Sequence, residues 1–335
     1  MKLPVREGLF SFLISVPLAV SITAAHAQTI TWDMPNEYPS GSVQGDVDRY
    51  FAERLYEKTD GAIRIEHHFG GALGFRSADQ LDAVADGAVP IANTFIPPLS
   101  GLHPIFLLSA LPFLVSSVDE ARVLQEVAEP YYNDVLEDHN QLLLYSTPWA
   151  PSGIWANKPV ASMEALEGLE IRTYDASSTT AFNNAGASPV QLSGADIVPQ
   201  LGAGAIEAVL TSIGFGLAGS FDDYVDHFTD IVYDTTVNLV TINRDEWEQL
   251  SPEHQDAVME AAAETEAWAW ENIREVIEED YDRGEARGVT VVRDVDPDFR
   301  DHLVQQAQPV IDRWVERMGA DGEHLLEEYR SRAGH

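Results

Sequence analysis

The 335-residue sequence contains no cysteine and few basic residues. Without cysteine there are no disulfide bonds, no cysteine-ligated metal sites and no thiol catalysis. Only 20 Lys and Arg stand against 55 Asp and Glu, a formal net charge of −35. This balance argues against nucleic-acid binding and against attraction to anionic membranes, because both need clustered cations. A large acidic excess instead keeps a protein soluble by self-repulsion, a property that halophiles use.

A hydrophobic run long enough to cross a membrane is also missing. The apolar stretch 9–20 is interrupted by two serines and a proline, and it is shorter than a bilayer span requires. It follows a basic start at Lys2 and Arg6 and leads to a small-residue ending at Ala27. This order predicts a signal peptide over 1–27, cleaved after Ala27. Together with the absence of disulfides it predicts a periplasmic protein without direct membrane insertion, whose mature chain keeps 18 basic and 54 acidic residues, a charge of −36.

Strand and helix patterns alternate along most of the chain. Strands are predicted at 29–32, 61–66 and 88–95, separated by stretches whose apolar residues recur at three- and four-residue steps. A second series begins with a predicted strand at 153–156 and continues with strands at 169–174, near 190 and at 205–210. The alternation predicts an α/β fold of two halves with largely parallel strand pairing.

The C-terminal part changes character and is predicted to be helical from Pro252 onward. The apolar series Trp268, Trp270, Ile273, Val276 and Ile277 fits a helical pattern, and its tryptophans are predicted to be core residues. A strand at 289–292 and a last helix at 299–318 close the chain. We therefore expect domain I over 28–150, exchanging some segments with domain II over 151–245, and a helical region over 246–335 that braces both.

The most conspicuous short motif is Gly214-Phe215-Gly216-Leu217-Ala218-Gly219, which matches G-x-G-x-x-G. In a dinucleotide-binding unit this motif opens a helix, but Ser220 to Asp223 give a weak helix start. We interpret the segment as a flexible or ligand-approaching loop and predict no cofactor.

No metal or hydrolytic motif emerges from the remaining residues. His67 and His68 are adjacent on a predicted strand and point to opposite faces, so they cannot both face one metal. Acidic pairs are too abundant for their spacing to identify a glycosidase. We predict no catalytic residue and no metal site, and an exported acidic hydrolase remains a distant alternative.

Arg172 is the basic residue with the most informative position. Strand alternation puts Leu169 and Ile171 on one face and Arg172 with Tyr174 on the other. A guanidinium group presents a fixed fork that matches a carboxylate. Arg172 therefore either binds an anionic ligand or forms a structural salt bridge with one of the many acids.

Five short segments, in order and spacing, resemble one family over nearly the whole mature chain. They are 70–74 (GGALG), 111–114 (LPFL), 166–172 (LEGLEIR), 186–190 (GASPV) and 204–208 (GAIEA). Together they resemble the DctP-like solute-binding proteins of tripartite ATP-independent periplasmic (TRAP) transporters.

The resemblance implies a two-domain periplasmic-binding-protein-like α/β fold with a long bracing helix and a ligand cleft between the domains. It implies that Arg172 grips a substrate carboxylate, that the partners are the small and large integral membrane subunits of the transporter, and that the receptor is not an enzyme.

The ligand is left open between two classes. Thr211-Ser212 replace an asparagine common in the family, the second arginine of sialic-acid binders is missing from 150–153, and Glu37 is similar to a glutamate that faces a cationic group in ectoine-binding members. We predict a small carboxylate-bearing solute, an organic or sugar acid, with a small amine or zwitterion (ethanolamine- or ectoine-like) as the alternative, since aromatic walls also favour cations. The predicted binding residues are Arg172, Glu37, Phe95, Trp149, Tyr174, Thr211 and Phe215, and Trp155 is a further aromatic expected near the cleft.

Overall fold

The computed structural model describes Met1 and residues 29–334 of the chain. Apart from Met1, the predicted signal peptide and its cleavage site at Ala27 lie outside the described residues. Within the described part, the helices are all too short or too polar to cross a bilayer.

The elements alternate as the sequence pattern predicts. The N-terminal half comprises β1 (Ile30–Pro35), α1 (Val43–Lys58), β2 (Ile63–His68), α2 (Ser77–Ala85), β3 (Ile91–Phe95), two 3₁₀ helices (Pro97–Gly101 and Pro104–Ala110), α3 (Val118–Asp138) and β4 (Gln141–Pro148). The middle comprises β5 (Gly153–Ala156), α4 (Met163–Leu166), β6 (Glu170–Thr173), α5 (Ala176–Asn184), β7 (Ser188–Gln191), a 3₁₀ turn (Gly194–Asp196), α6 (Ile197–Gly202), β8 (Ala208–Thr211) and α7 (Ile213–Ala218). The remainder comprises a 3₁₀ turn (Phe221–Asp223), β9 (His227–Thr229), β10 (Val237–Asn243), α8 (Arg244–Glu248), α9 (Pro252–Ala286), β11 (Thr290–Val292), α10 (Pro297–Met318) and α11 (Ala320–Ala333).

The strands form two α/β units, which confirms the predicted two-domain architecture. In the first unit β1 pairs with β2, and a separate sheet has the order β3-β10-β4. The second unit holds a six-stranded sheet with the order β11-β9-β5-β8-β6-β7. The chain passes between the units through two extended connections, from β4 to β5 and from β9 to β10, and a third time through α9, which leads from β10 of the first unit to β11 of the second.

The expectation of largely parallel pairing holds for only half of the strand pairs among the described residues. β10 is antiparallel to both β3 and β4, and β5 is antiparallel to both β8 and β9. Strand β10 also has no counterpart among the predicted strands. These antiparallel strands are the two that directly follow the extended connections between the units, whereas β11, which arrives through α9, pairs parallel with β9.

The helical C-terminal part packs across both units. Helix α9 contacts α1 and β4 of the first unit and α7 and β11 of the second. Trp270 is buried and Trp268 stacks on Tyr50 with ring centroids 4.6 Å apart, so both serve packing as predicted. The predicted last helix at 299–318 matches α10, which ends at Gly319 (φ 64°), and a further helix that was not predicted, α11, follows it.

The G-x-G-x-x-G segment is a close-packed helix, so the expectation of a flexible loop is wrong. The Ser212 hydroxyl caps α7 by accepting from the Phe215 N–H at 3.3 Å. A Cβ atom at Gly216 would lie 2.4 Å from Trp155 Cε2, and one at Gly214 would lie 1.9 Å from Asp280 Oδ2. These two glycines are needed for packing, and the segment approaches the interdomain space only through Phe215.

The adjacent histidines on β2 have separate partners. His68 Nε2 lies 2.7 Å from Asp33 Oδ1, while His67 stacks on Phe69 and burial lowers its pKa to about 4. Among the described residues no three histidine or acidic side chains are grouped as metal ligands.

Candidate functional site

A pocket lies between the two α/β units, next to the strands that cross between them. The space between its walls is about 340 Å³, including the part that is open to solvent. The lining residues are Tyr38, Phe95, Trp149, Ala150, Ser152, Arg172, Tyr174, Thr211, Ser212, Phe215 and Thr236. Both units contribute to this set, as do the connection from β4 to β5 and the connection from β9 to β10.

The position of the pocket follows from the strand topology. β6 and β8 run parallel, and their carboxyl ends deliver Arg172 with Tyr174 and Thr211 with Ser212. Ligands of α/β proteins bind at the carboxyl ends of the strands, where the loops leave a crevice. The first unit supplies the opposite wall from the ends of β1, β3 and β4.

Arg172 is buried at this pocket, with 4% of its surface exposed. Its Nε donates to the Leu192 carbonyl oxygen at 2.9 Å and its Nη1 to that of Leu210 at 3.1 Å. The guanidinium carbon lies 5.5 Å from the ring centroid of Tyr174. These contacts hold the side chain in one orientation.

The guanidinium of Arg172 has no ion pair within the described part of the chain, where salt bridges are taken as N···O distances up to 4.0 Å. Burial lowers the pKa of Arg172, while nearby Tyr38, Tyr174, Glu37 and Asp175 act in the opposite direction. A buried charge without a direct partner is costly. The pocket is therefore complementary to an anionic group.

The other walls of the pocket are aromatic. The ring centroid of Tyr38 lies 4.7 Å from that of Trp149, 5.4 Å from that of Phe215 and 5.9 Å from that of Phe95. All three pairs are edge-on, the arrangement that aromatic quadrupoles favour. The walls suit a flat apolar body beside the guanidinium.

Tyr174 is oriented from behind by a buried carboxyl. Its hydroxyl donates to Asp234, whose pKa is raised to about 7 by burial. The neighbouring Asp175 caps α5 by accepting from the Ser178 N–H at 2.7 Å. Asp234 itself does not line the pocket, so it acts on a ligand only through Tyr174.

Six of the seven predicted binding residues meet at this pocket: Phe95, Trp149, Arg172, Tyr174, Thr211 and Phe215. Glu37 lies in an adjoining cavity of about 780 Å³, which shares Tyr38 and Arg172 with the pocket. Its Oε2 accepts from the Ser77 N–H at 2.8 Å at the start of α2. Trp155 does not reach the pocket, because it is fully buried behind α7 and donates to the Ser212 carbonyl oxygen at 3.2 Å.

The sequence analysis did not identify Tyr38, Ser152 or Thr236 as lining residues. Tyr38 follows Glu37 in the first strand-to-helix loop, and this aromatic neighbour was an available signal. Ser152 lies in the connection from β4 to β5 and Thr236 immediately before β10. Their placement depends on where the chain passes between the two units, and the local sequence pattern does not indicate these points.

A polar contact spans the cleft beside the second cavity. Arg76, immediately before α2, donates to Ser193 and lies 3.0 Å from Asp196 Oδ2. We refer to Arg76, Ser193 and Asp196 as the cleft latch. It joins the two units at the exposed edge of the site.

Comparisons with known proteins agree with this geometry. Residues 35–317 match the family model DctP, described as bacterial extracellular solute-binding protein, family 7. The chain is similar to a 2,3-diketo-L-gulonate-binding periplasmic protein, YiaO of Escherichia coli, with 25% identity over 326 residues, covering 96% of this chain and 97% of the relative.

Solved structures have the same fold. The extracytoplasmic solute receptor DctP7 of Bordetella pertussis, which binds pyroglutamic acid, superposes with a TM-score of 0.86 at 28% identity, covering 90% of this chain and 100% of that one. The periplasmic ectoine-binding protein of the TeaABC TRAP transporter of Halomonas elongata superposes with a TM-score of 0.82 at 21% identity, covering 90% and 98%.

Proposed function

The chain belongs to family 7 of the bacterial extracellular solute-binding proteins, the DctP family of TRAP solute receptors, and we propose that its ligand is a small solute with one carboxylate. The solute binds in the pocket around Arg172. Closure of the two domains buries it, and the closed receptor delivers it to the membrane subunits.

The observation that carries this proposal is the buried guanidinium of Arg172. Two of its nitrogens are occupied by the carbonyl oxygens of Leu192 and Leu210, and the group has no carboxylate partner in the part of the chain that the structure describes. A ligand carboxylate would supply the missing negative charge through charge-assisted hydrogen bonds.

The remaining walls narrow the class of ligand. Arg172 is the one basic residue among those that line the pocket, which favours one carboxylate over two. The four rings of Tyr38, Phe95, Trp149 and Phe215 suit a flat body, and the hydroxyl groups of Ser152, Thr211 and Thr236 offer hydrogen bonds. Pyroglutamate, the ligand of the Bordetella receptor, combines these features and is the first candidate.

A small amine or zwitterion is the second candidate. Glu37 lines the cavity next to the pocket together with Arg172, and its Oε1 is buried without a hydrogen-bond partner. A ligand with a cationic group could place it against this oxygen while its carboxylate faces Arg172. Ectoine, the ligand of the Halomonas protein, represents this class.

Calorimetry on two substitutions tests the assignment of Arg172. We expect Arg172→Ala and Arg172→Lys to weaken pyroglutamate binding about 100-fold or more, because breaking a buried ion pair costs several kcal/mol. Arg64→Ala, an exposed residue on β2, serves as the matched control and should bind like the wild type. Unchanged affinity in folded Arg172→Lys would show that the assignment is wrong.

A thermal-shift screen tests the class of ligand. Organic acids, sugar acids, amino acids, ectoines and small amines are compared, since a ligand of the folded state raises the melting temperature by mass action. Turnover of a hit by the purified protein would instead favour the exported hydrolase.

Export and partners complete the proposal. The family is extracytoplasmic, and we propose that the signal peptide is removed after Ala27 to release the receptor into the periplasm, where a small and a large integral TRAP subunit receive it. Intact-mass measurement of the periplasmic protein tests the cleavage. We also retain as a proposal the division into domain I (28–150), which exchanges some segments with domain II (151–245), and a bracing region (246–335).

A further inference from the structure

A chain of buried polar side chains lies behind the aromatic walls of the pocket, in the first α/β unit. It consists of Asn36 after β1, Asp48 on α1, Asn93 on β3 and Asn238 on β10, and we call it the amide chain. At most 1% of the surface of each of these residues is exposed. None of them lines the pocket, yet both ends of the chain reach residues that do.

One branch of the amide chain starts at Trp149. The Trp149 Nε1–H donates to Asn238 Oδ1 at 2.7 Å, and Asn238 Nδ2 donates to Asn93 Oδ1 at 2.6 Å. Asn93 Nδ2 then donates to Asp48 Oδ1 at 2.6 Å. Three hydrogen bonds thus connect the indole ring of a pocket wall to a carboxylate on α1.

The other branch starts at Tyr38. Its backbone N–H donates to Asn36 Oδ1 at 2.9 Å, and Asn36 Nδ2 donates to Asp48 Oδ2 at 2.7 Å. The two oxygens of Asp48 therefore receive the two branches separately. The chain therefore ends on the indole of Trp149 and on the backbone of Tyr38, whose ring is in edge-on contact with that indole at 4.7 Å.

The direction of every hydrogen bond in the amide chain is determined by its ends. An indole N–H and a backbone N–H can only donate, so each amide must turn its oxygen toward the pocket and its NH₂ group toward Asp48. Two NH₂ groups then converge on one side chain, and an ionised carboxyl, which only accepts, can satisfy both. An asparagine of the same shape would oppose one NH₂ group with its own.

We propose that Asp48 is a positioning residue that orients Trp149 and Tyr38 for ligand binding through the amide chain. The proposal rests on the proposed function in one respect, namely that the pocket between these rings is the ligand site. Asp48 is the one acceptor that both branches share, although Asn93 Nδ2 also lies 3.4 Å from Gln44 Oε1. Loss of Asp48 therefore weakens the support of the Trp149 indole and of the Tyr38 backbone.

A role as an ordinary ion-pair partner does not account for Asp48. In the described residues no cationic nitrogen lies within 4.0 Å of its carboxylate, and the adjacent Arg49 pairs with Asp46 on the surface. Burial raises the pKa of Asp48 to about 7, although the hydrogen bonds from Asn36 and Asn93 oppose this. Retaining an acid here is costly, which argues for a specific need for an acceptor.

The first experiment combines affinity with a resonance of the indole itself. We expect Asp48→Asn to move the ¹H–¹⁵N resonance of the Trp149 indole, assigned with Trp149→Phe, in the ligand-free protein. We expect it to weaken binding of L-pyroglutamate about tenfold, the effect of leaving one buried donor unsatisfied. Asp46→Asn, two residues earlier on the exposed face of the same helix, is the matched control and should change neither.

The second experiment exchanges the acceptor and the amide. In the double variant Asp48→Asn with Asn93→Asp, the carboxylate introduced at position 93 accepts from Asn238 and from the amide introduced at position 48, which in turn accepts from Asn36. Every hydrogen bond along the chain is thereby restored at constant charge. We expect the indole resonance to return towards its wild-type position and the affinity to return to within about twofold of the wild-type value.

Several outcomes would overturn the proposal. An unmoved Trp149 resonance or unchanged affinity in Asp48→Asn would do so, as would a double variant no better than the single one. Should Asp48→Asn fail to fold, Asn238→Ala interrupts the same branch next to Trp149, and unchanged affinity there is equally decisive. If L-pyroglutamate does not bind the wild type, the proposed ligand fails, whereas the indole resonance still tests the amide chain without any ligand.

Discussion

The guanidinium of Arg76 lies 3.0 Å from Asp196 Oδ2, so that one ion pair connects the first α/β unit with the second at the edge of the cleft. Both side chains are about half exposed, at 47% each. An exposed pair of this kind contributes little free energy. Its position across the cleft nevertheless places it where it can slow domain opening without touching the ligand.

Removal of the cleft latch should accelerate ligand release. We expect Arg76→Ala to raise the dissociation rate constant of a bound solute about two- to fivefold, in line with an exposed ion pair worth about 0.2–1 kcal/mol, and to leave the association rate nearly unchanged. Stopped-flow tryptophan fluorescence measures both rates. The difference from wild type should shrink at high salt; a slower association with unaltered release would contradict the latch.

Substitution of Glu37 distinguishes the two classes of ligand. Glu37→Gln keeps an acceptor for the Ser77 N–H but removes a negative charge near Arg172. For a ligand whose one charge is a carboxylate, we expect calorimetric affinity to rise about two- to fivefold, because a like charge is removed. A loss of tenfold or more would show that the ligand carries a cationic group facing Glu37.

The buried acid behind Tyr174 should make stability depend on pH. The pKa of Asp234 is raised from 3.8 to about 7, so the folded state binds this proton more tightly than the unfolded state does. The stabilisation is present below about pH 4 and is lost as the pH rises through about 7. Between about pH 5 and about pH 8, the melting temperature of wild type should therefore fall more than that of Asp234→Asn. The exposed control Asp223→Asn should follow wild type, and parallel curves for all three proteins would refute the assignment.

The close contact between α7 and Trp155 should make Gly216 intolerant of a side chain. An alanine Cβ would lie 2.4 Å from Trp155 Cε2, an overlap that a fully buried ring relieves only by shifting its neighbours. We expect Gly216→Ala to destabilise the protein by about 1–3 kcal/mol and to lower its melting temperature by about 2–10 °C. Gly41→Ala, where a Cβ meets nothing within 4 Å, is the control. Equal melting temperatures would show that α7 can move away from Trp155 without cost.

Local patterns predicted most strands and helices because each depends on residues close together in the chain. The strand at 153–156 coincides with β5, and the helix at 299–318 ends at the same residue as α10. The same patterns give no strand at β10, whose position depends on pairing with β3 and β4, both distant from it in the sequence. The G-x-G-x-x-G motif was misread because its glycines serve contacts with Trp155 and Asp280, which are distant in sequence.

The sequence by itself determined that the chain is an acidic, cysteine-free α/β protein of the solute-receptor family, and that Arg172 lies on a strand with Tyr174 on the same face. Composition, periodicity and short motifs are local properties, so a reader of the sequence has full access to them. Only the tertiary structure decided what surrounds Arg172 and what supports the pocket walls. Trp149 and Asn238 are 89 residues apart, and Asn93 and Asn238 are 145 apart. They meet because β10 returns from the second domain and inserts between β3 and β4, and such long-range pairing is determined by the packing of the whole chain, not by any local pattern.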